Sequence, residues 1–232
     1  MDLFLIEGQW WPYLLKSFFS SMFVLASGSK ARQKLLNQIA LKHIAIVSDF
    51  DETQVHVADH SLKVKLLAKG KAKNALKKLK QGNQVFNTLQ ALLGCDSLFE
   101  FEGEVFGKPI NKDQLISRWK RMSGKVGFLH TGHYLISLKN SDLDAKSTSI
   151  NNFCEGVVST KIEFMSLSNH EIIKYASTPE PYSCAGGFAI EGNGGIFIKK
   201  IDGCFSNVIG LSLPWLKSNL EKLGLSSLLL KR

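Results

Sequence analysis

The chain has 232 residues, 44% of them hydrophobic and 21% charged, with 29 Lys and Arg against 20 Asp and Glu. This composition excludes an intrinsically disordered chain, and five prolines and 19 glycines exclude a collagen-like or linker-dominated one. The net charge of +9 raises three classes of partner: nucleic acid, a membrane surface, or a phosphorylated small molecule.

In chain order, the aromatic and apolar stretch from Phe4 to Leu25 comes first. Glu7 and Lys16 interrupt it, and no basic leader or small-residue cleavage site frames it. It therefore does not read as a signal peptide or a membrane span. Met22 stands directly before the first clean strand pattern. Residues 1–21 are accordingly expected to be an upstream extension from a start codon assigned too early, with the domain running from 22 to 232. Phe23–Ala26 is a short strand, Ser27-Gly28-Ser29 a turn, and 31–39 a helix. His43–Val47 reads as a strand. Leu62–Lys80 is a long helix with an apolar stripe at Leu62, Leu66, Ala72, Leu76 and Leu79.

Leu89–Gly94 reads as a buried strand that ends at Cys95-Asp96-Ser97. Leu98–Phe106 is expected to be a hairpin turning at Glu102-Gly103. A helix over 113–122, stopped by Ser123-Gly124, precedes strands over 126–138 and 156–165. Ser168 and Glu171 have capping-box spacing at the start of a helix ending near Tyr175. The glycine-rich stretch 186–201 reads as strand, and 213–223 as the closing helix. This alternation predicts an α/β domain with a mixed, twisted sheet flanked by helices.

Eight lysines lie between residues 61 and 80, with no acid among them; without them the chain holds 21 basic and 20 acidic residues. The surplus thus belongs to one helix, mostly as solvated lysines. Arginines and interleaved aromatics, which nucleic-acid binding favours, are missing from it, so no nucleic-acid partner and no membrane partner is expected. Cys95, Cys154, Cys184 and Cys204 form no CxxC pair and read as buried, reduced thiols of a cytoplasmic protein. The pairs His130/His133 and His56/His60 lack a third metal ligand and read as surface or core histidines.

Four local constellations carry chemistry. The strand–turn–helix over Leu25–Leu36 offers free backbone N–H groups at a helix start, the hydroxyls of Ser27 and Ser29, and Arg32, all suited to a phosphate. Ser29 reads equally as a helix cap. Asp51-Glu52 follows a strand, where acids are either solvated or hold a divalent cation. Asp96 is followed by Gly107-Lys108-Pro109, a positioned cation. The glycines of 180–192 and 203–211 permit tight backbone paths near a ligand.

Together and in this order, these features resemble the Maf family of nucleoside-triphosphate pyrophosphatases. The match runs through Leu25–Leu36, Asp51-Glu52, Leu67–Ala72, Asp96-Ser97, Gly107-Lys108-Pro109, Ser123-Gly124, Thr131-Gly132, Glu171-Ile172 with Tyr175, Ala185-Gly186, and Asn207–Leu211. The resemblance implies an elongated sheet with two lobes around a nucleotide cleft. It also implies a hydrolase acting on acid anhydrides, which converts a standard or non-canonical nucleoside triphosphate to monophosphate plus pyrophosphate with Mg²⁺ or Mn²⁺. Its implied catalytic residues are Asp96, Lys108, Lys71 and Arg32, with Asp96 as general base. Ser27, Ser29, Thr131, Glu191 and Gly186 would bind substrate, and Glu52 and Asp96 the metal. A homodimer is left open.

Two departures stand out. Lys30-Ala31 replaces the family's Pro-Arg, which raises the alternative of a catalytically weak nucleotide-binding regulator. At the three positions that separate pyrimidine-preferring from 7-methyl-GTP-preferring members, this chain has Ala31, Cys184 and Glu191, and only Glu191 matches the second group.

Overall fold

A computed structural model describes residues 22–81, 89–138 and 152–229. The suspected extension 1–21 lies outside them. Strands are β1 (Met22–Leu25), β2 (His43–Ala45), β3 (Leu89–Phe101), β4 (Glu104–Phe106), β5 (Val126–Ser137), β6 (Phe153–Phe164) and β7 (Ile198–Asp202). The α-helices are α1 (Lys30–Gln38), α2 (His60–Gln81), α3 (Lys112–Met122), α4 (Asn169–Ala176), α5 (Phe205–Ile209) and α6 (Leu213–Lys222).

One mixed sheet runs β2-β1-β3-β5-β6-β7, with β4 added on β3. β1 pairs in parallel with β2 and β3, and every other pairing is antiparallel. The expected mixed α/β sheet and the hairpin around Glu102-Gly103 are present. Glu102 (φ 52°) and Gly103 (φ 80°) make that turn.

The edges of β3 create the cleft. One edge pairs with β5 from Ala91 to Glu100. The other pairs with β1 up to Leu93 and with β4 from Phe99 onward. Among the described residues, Gly94 to Leu98 therefore has no strand neighbour on that side. β1, β2, α1 and α2 form one lobe beyond this gap; β4, α3 and α4 form the other. The strand was expected to stop before Cys95. It continues because β5 keeps pairing with it, so Asp96 lies in mid-strand, at the centre of the gap.

Each lobe has its own packing. On one face of the first lobe, Val24, Leu92, Tyr134 and Ile136 meet Ala68, Ala72, Ala75 and Leu76 of α2. On the other face, Phe23, Leu25, Leu93 and Leu135 meet Leu35 and Leu36 of α1 and Leu216 and Leu220 of α6. The second lobe is aromatic: Trp119 meets Phe164, Tyr175 and Phe197 edge-on at 5.4–5.6 Å between centroids. Such contacts contribute about 0.5–1.5 kcal/mol each beyond area burial.

Two expectations change. Stretch 186–201 is strand only from Ile198; Gly186 (φ 75°) and Gly187 (φ 71°) turn the chain, and short 3₁₀ turns cover Ala185–Gly187 and Asn193–Phe197. The lysines of α2 are also less solvated than expected. Lys65 and Lys69 pair with Glu155 of β6, and Lys78 pairs with Asp49. The four cysteines are free, but only Cys95 is buried; the other three are half-buried.

Candidate active site

Asp96 and Ser97 follow one another in β3, so their side chains point to opposite faces of the sheet. On one face, α2 packs directly against the strands. A Cβ on Gly94 would lie 2.2 Å from the Ala68 carbonyl, and one on Gly132 would lie 2.1 Å from that of Val64. Only glycine allows this approach, which brings Lys71 to Asp96. Lys71 Nζ pairs with Asp96 and, at 2.7 Å, with Glu52 Oε1.

Glu52 arrives on the loop after β2. Phe50 lies flat over Gly70 of α2, where a Cβ would be 2.4 Å from the ring. Lys78 holds this loop further, through Asp49 and the Val47 carbonyl at 2.8 Å. Asp51 then caps the 3₁₀ turn that carries Glu52.

On the opposite face, Arg32 of α1 is nearly enclosed, 8% exposed. Its guanidinium donates to the Gly210 carbonyl at 2.7 Å, Ser27 Oγ at 3.0 Å, the Cys95 carbonyl at 3.1 Å and Ser97 Oγ at 2.9 Å. Four of its five N–H bonds are thereby spent on protein. Arg32 ties the first turn to β3 and α5 and leaves a fixed positive charge beside the gap. Ser29 caps α1, its Oγ accepting from Arg32 N at 3.4 Å. The N–H groups of Lys30 and Ala31 make no hydrogen bond among the described residues. They are the open donors of a helix start.

Burial raises Asp96 above the ordinary carboxylate range. Lys71 and Arg32 oppose that rise, and Glu52 adds to it. The two nearby cations therefore do not fully offset the desolvation of this carboxylate, so further positive charge would be favourable here. Glu52 and Asp96 are hard oxygen donors converging on one ammonium group, and their chemistry fits Mg²⁺ or Mn²⁺. No cluster of three or more His, Cys, Asp or Glu suited to a metal exists among the described residues. An ion here would take its remaining ligands from phosphate and water, as Mg²⁺ commonly does.

The remaining expected residues divide into two groups. Thr131 is fully buried, and its hydroxyl meets Ser97 Oγ at 2.9 Å. In this position it props Ser97. Gly186 is buried against Phe99 and Phe188, 2.7 and 2.8 Å from its would-be Cβ. Lys108 and Glu191 are exposed, and Lys108 makes no ion pair among the described residues. Both charges act on the Cys184 thiol.

Ser97 and Gly210 were quoted in the sequence motifs but not singled out, and the structure makes them the anchors of Arg32. Glu180 opens the glycine-bearing stretch 180–192 but was not singled out. Its signal was an acid five residues after Tyr175 and twelve before Gly192. His133 is a core residue, stacked on Trp215 at 4.7 Å, with Nε2 accepting from Ser212 N at 3.0 Å. His60 and His130 both reach Glu100 Oε2, at 3.0 and 3.2 Å.

A mixed sheet with a gap in one strand edge, a half-buried carboxylate in that gap, and cations on either face define a cleft suited to a polyphosphate. The chain belongs to the family described as Maf-like protein, which it matches over residues 22–223. A protein of Prochlorococcus marinus strain NATL1A, named nucleoside triphosphate pyrophosphatase, is 79% identical over 211 residues, covering 91% of this chain and 100% of that protein. One from strain NATL2A with the same name is 76% identical over the same shares. A similarly named protein of Synechococcus sp. strain CC9311 is 43% identical, covering 84% of this chain and 97% of its own.

Proposed function

We propose that this chain hydrolyses a nucleoside triphosphate to the monophosphate and pyrophosphate. The observation that carries this reading is Asp96 at the unpaired stretch of β3, between Lys71 on one face and Arg32 on the other. The family membership and the relatives' names support it.

In this reading the phosphates lie against the Ser27–Ala31 turn. The Lys30 and Ala31 N–H groups and the Ser27 and Ser29 hydroxyls face them, and the enclosed Arg32 supplies a positive field. Lys71 and Lys108 add cations from the two lobes. Asp96 takes a proton from the attacking water. The water oxygen bonds to phosphorus as the anhydride P–O bond breaks, and pyrophosphate leaves with that electron pair. An acid raised by burial is a better proton acceptor near neutral pH than an ordinary carboxylate. A divalent cation held by Glu52 and Asp96 would, when bound, neutralise phosphate charge. The protein's share of catalysis is then positioning and charge stabilisation. Glu191 and Cys184 face the base.

Incubation with a panel of standard and modified nucleotides plus Mg²⁺ or Mn²⁺ tests this. The expected result is pyrophosphate and monophosphate from at least one of them; folded protein releasing none contradicts it. A second reading, nucleotide binding without turnover, draws on Ala31 at a motif arginine position and on the protein-bound state of Arg32. Tight binding with no pyrophosphate would favour that reading. Among the described residues, no helix is long and apolar enough to cross a membrane.

A further inference from the structure

Glu180 sits between α4 and the glycine-rich loop of the second lobe. Its Oε1 accepts from Tyr175 Oη at 2.8 Å and from Gly194 N at 2.8 Å, and its Oε2 accepts from Asn193 N at 2.8 Å. Its carbonyl oxygen accepts from Ser183 Oγ at 3.0 Å and from Cys184 Sγ at 3.8 Å. Tyr175 Oη in turn accepts from Ala189 N at 3.3 Å. One residue therefore ties down Cys184 through its backbone and the loop around Glu191 through its carboxylate.

The neighbouring sequence is built for this grip. A Cβ on Gly192 would lie 2.3 Å from Glu180 Oε2, and one on Gly194 would lie 2.5 Å from Tyr175 Oη. Tyr175 is fixed by the rings of Trp119 and Phe197, at 5.6 and 5.2 Å. Burial and Glu180 both raise the Tyr175 phenol, so it stays protonated and donates. The carboxylate is thus satisfied by three internal donors. It is held for the loop and is not presented to a ligand.

We infer that Glu180 is a positioning residue for base selectivity: it fixes Cys184 and Glu191 relative to each other, so that the loop reads the nucleobase in one geometry. This rests on the reading above that Cys184 and Glu191 face the base. Charge-assisted hydrogen bonds of this kind are directional, and displacement of a positioned contact lowers discrimination before it lowers chemistry at a distant carboxylate.

Glu180→Gln tests the inference. Its amide nitrogen must face one N–H or O–H donor, so at least one bond is lost. The KM of the preferred nucleotide is expected to rise about tenfold, the scale of one such bond, with saturating kcat nearly unchanged. The kcat/KM ratio between the preferred nucleotide and the next best should fall toward one. Gly192→Ala, whose Cβ displaces the same carboxylate, is expected to give the same split and keeps the test open if the first variant does not fold. A lowered melting temperature with KM and selectivity unchanged would overturn the inference, as would a fall in kcat alone. Wild-type protein that turns over no nucleotide would instead sink the active-site reading, which separates the two failures.

Discussion

In the proposed reaction Asp96 is the residue on which the chemistry turns, and its surroundings make a titration prediction. Lys71 is the strongest influence holding its pKa down against burial. In metal-free protein, Lys71→Met is therefore expected to move the Asp96 titration to higher pH, as read by carboxyl ¹³C NMR; a downward move would contradict the assignment. Stability follows with a definite sign. A carboxyl whose folded-state pKa lies above the unfolded one favours the fold most below the unfolded value, and that contribution is lost as pH rises through the raised value. The Lys71→Met variant should therefore lose more melting temperature against wild type at neutral pH than at pH near 3. Equal losses at both would mean the pair carries no such coupling.

At the scale of elements, the contact between α2 and the sheet decides whether Lys71 reaches Asp96. Gly94 and Gly132 sit under the helix backbone, and overpacking of such a contact costs about 1–3 kcal/mol. Gly132→Ala is expected to destabilise the protein by about this amount in denaturant titration and to depress turnover by moving Lys71 away. Full activity and stability in this variant would show that the close approach is not needed. Much of this level was legible in the sequence. Ser168 and Glu171 form the expected capping box, and the 98–106 hairpin lies where the pattern put it; of the expected α2 stripe only Ala72 and Leu76 are buried, while Leu62 is exposed and the helix instead buries Val64, Leu67, Ala68 and Ala75. Stretch 186–201 was misread because its apolar residues mimic a strand, whereas consecutive left-handed glycines turn it. Five-residue α5 was missed because it is too short to show a helical period.

At the scale of the molecule, the cleft exists because β3 outruns β1 before β4 begins. That gap depends on strand register, which a sequence pattern does not give; hence Asp96 was expected at a strand end and lies in mid-strand. The motif residues were legible as a set, but their division of labour was not. Polar residues in a motif can face a ligand or brace one another, and only burial separates the two: Thr131 and Arg32 brace, whereas Lys71 and Asp96 line the gap. The +9 charge also changes meaning, since four of the eight α2 lysines hold acids of neighbouring elements or of the site. Comparison of wild type with Asp96→Asn on the best nucleotide, with pyrophosphate and monophosphate measured at saturating Mg²⁺, tests the account most directly. The account predicts equal yields of the two products from wild type and a kcat loss of about 10²–10⁴ in the folded variant. Turnover undiminished in Asp96→Asn, or release of nucleoside diphosphate and inorganic phosphate instead, would contradict it.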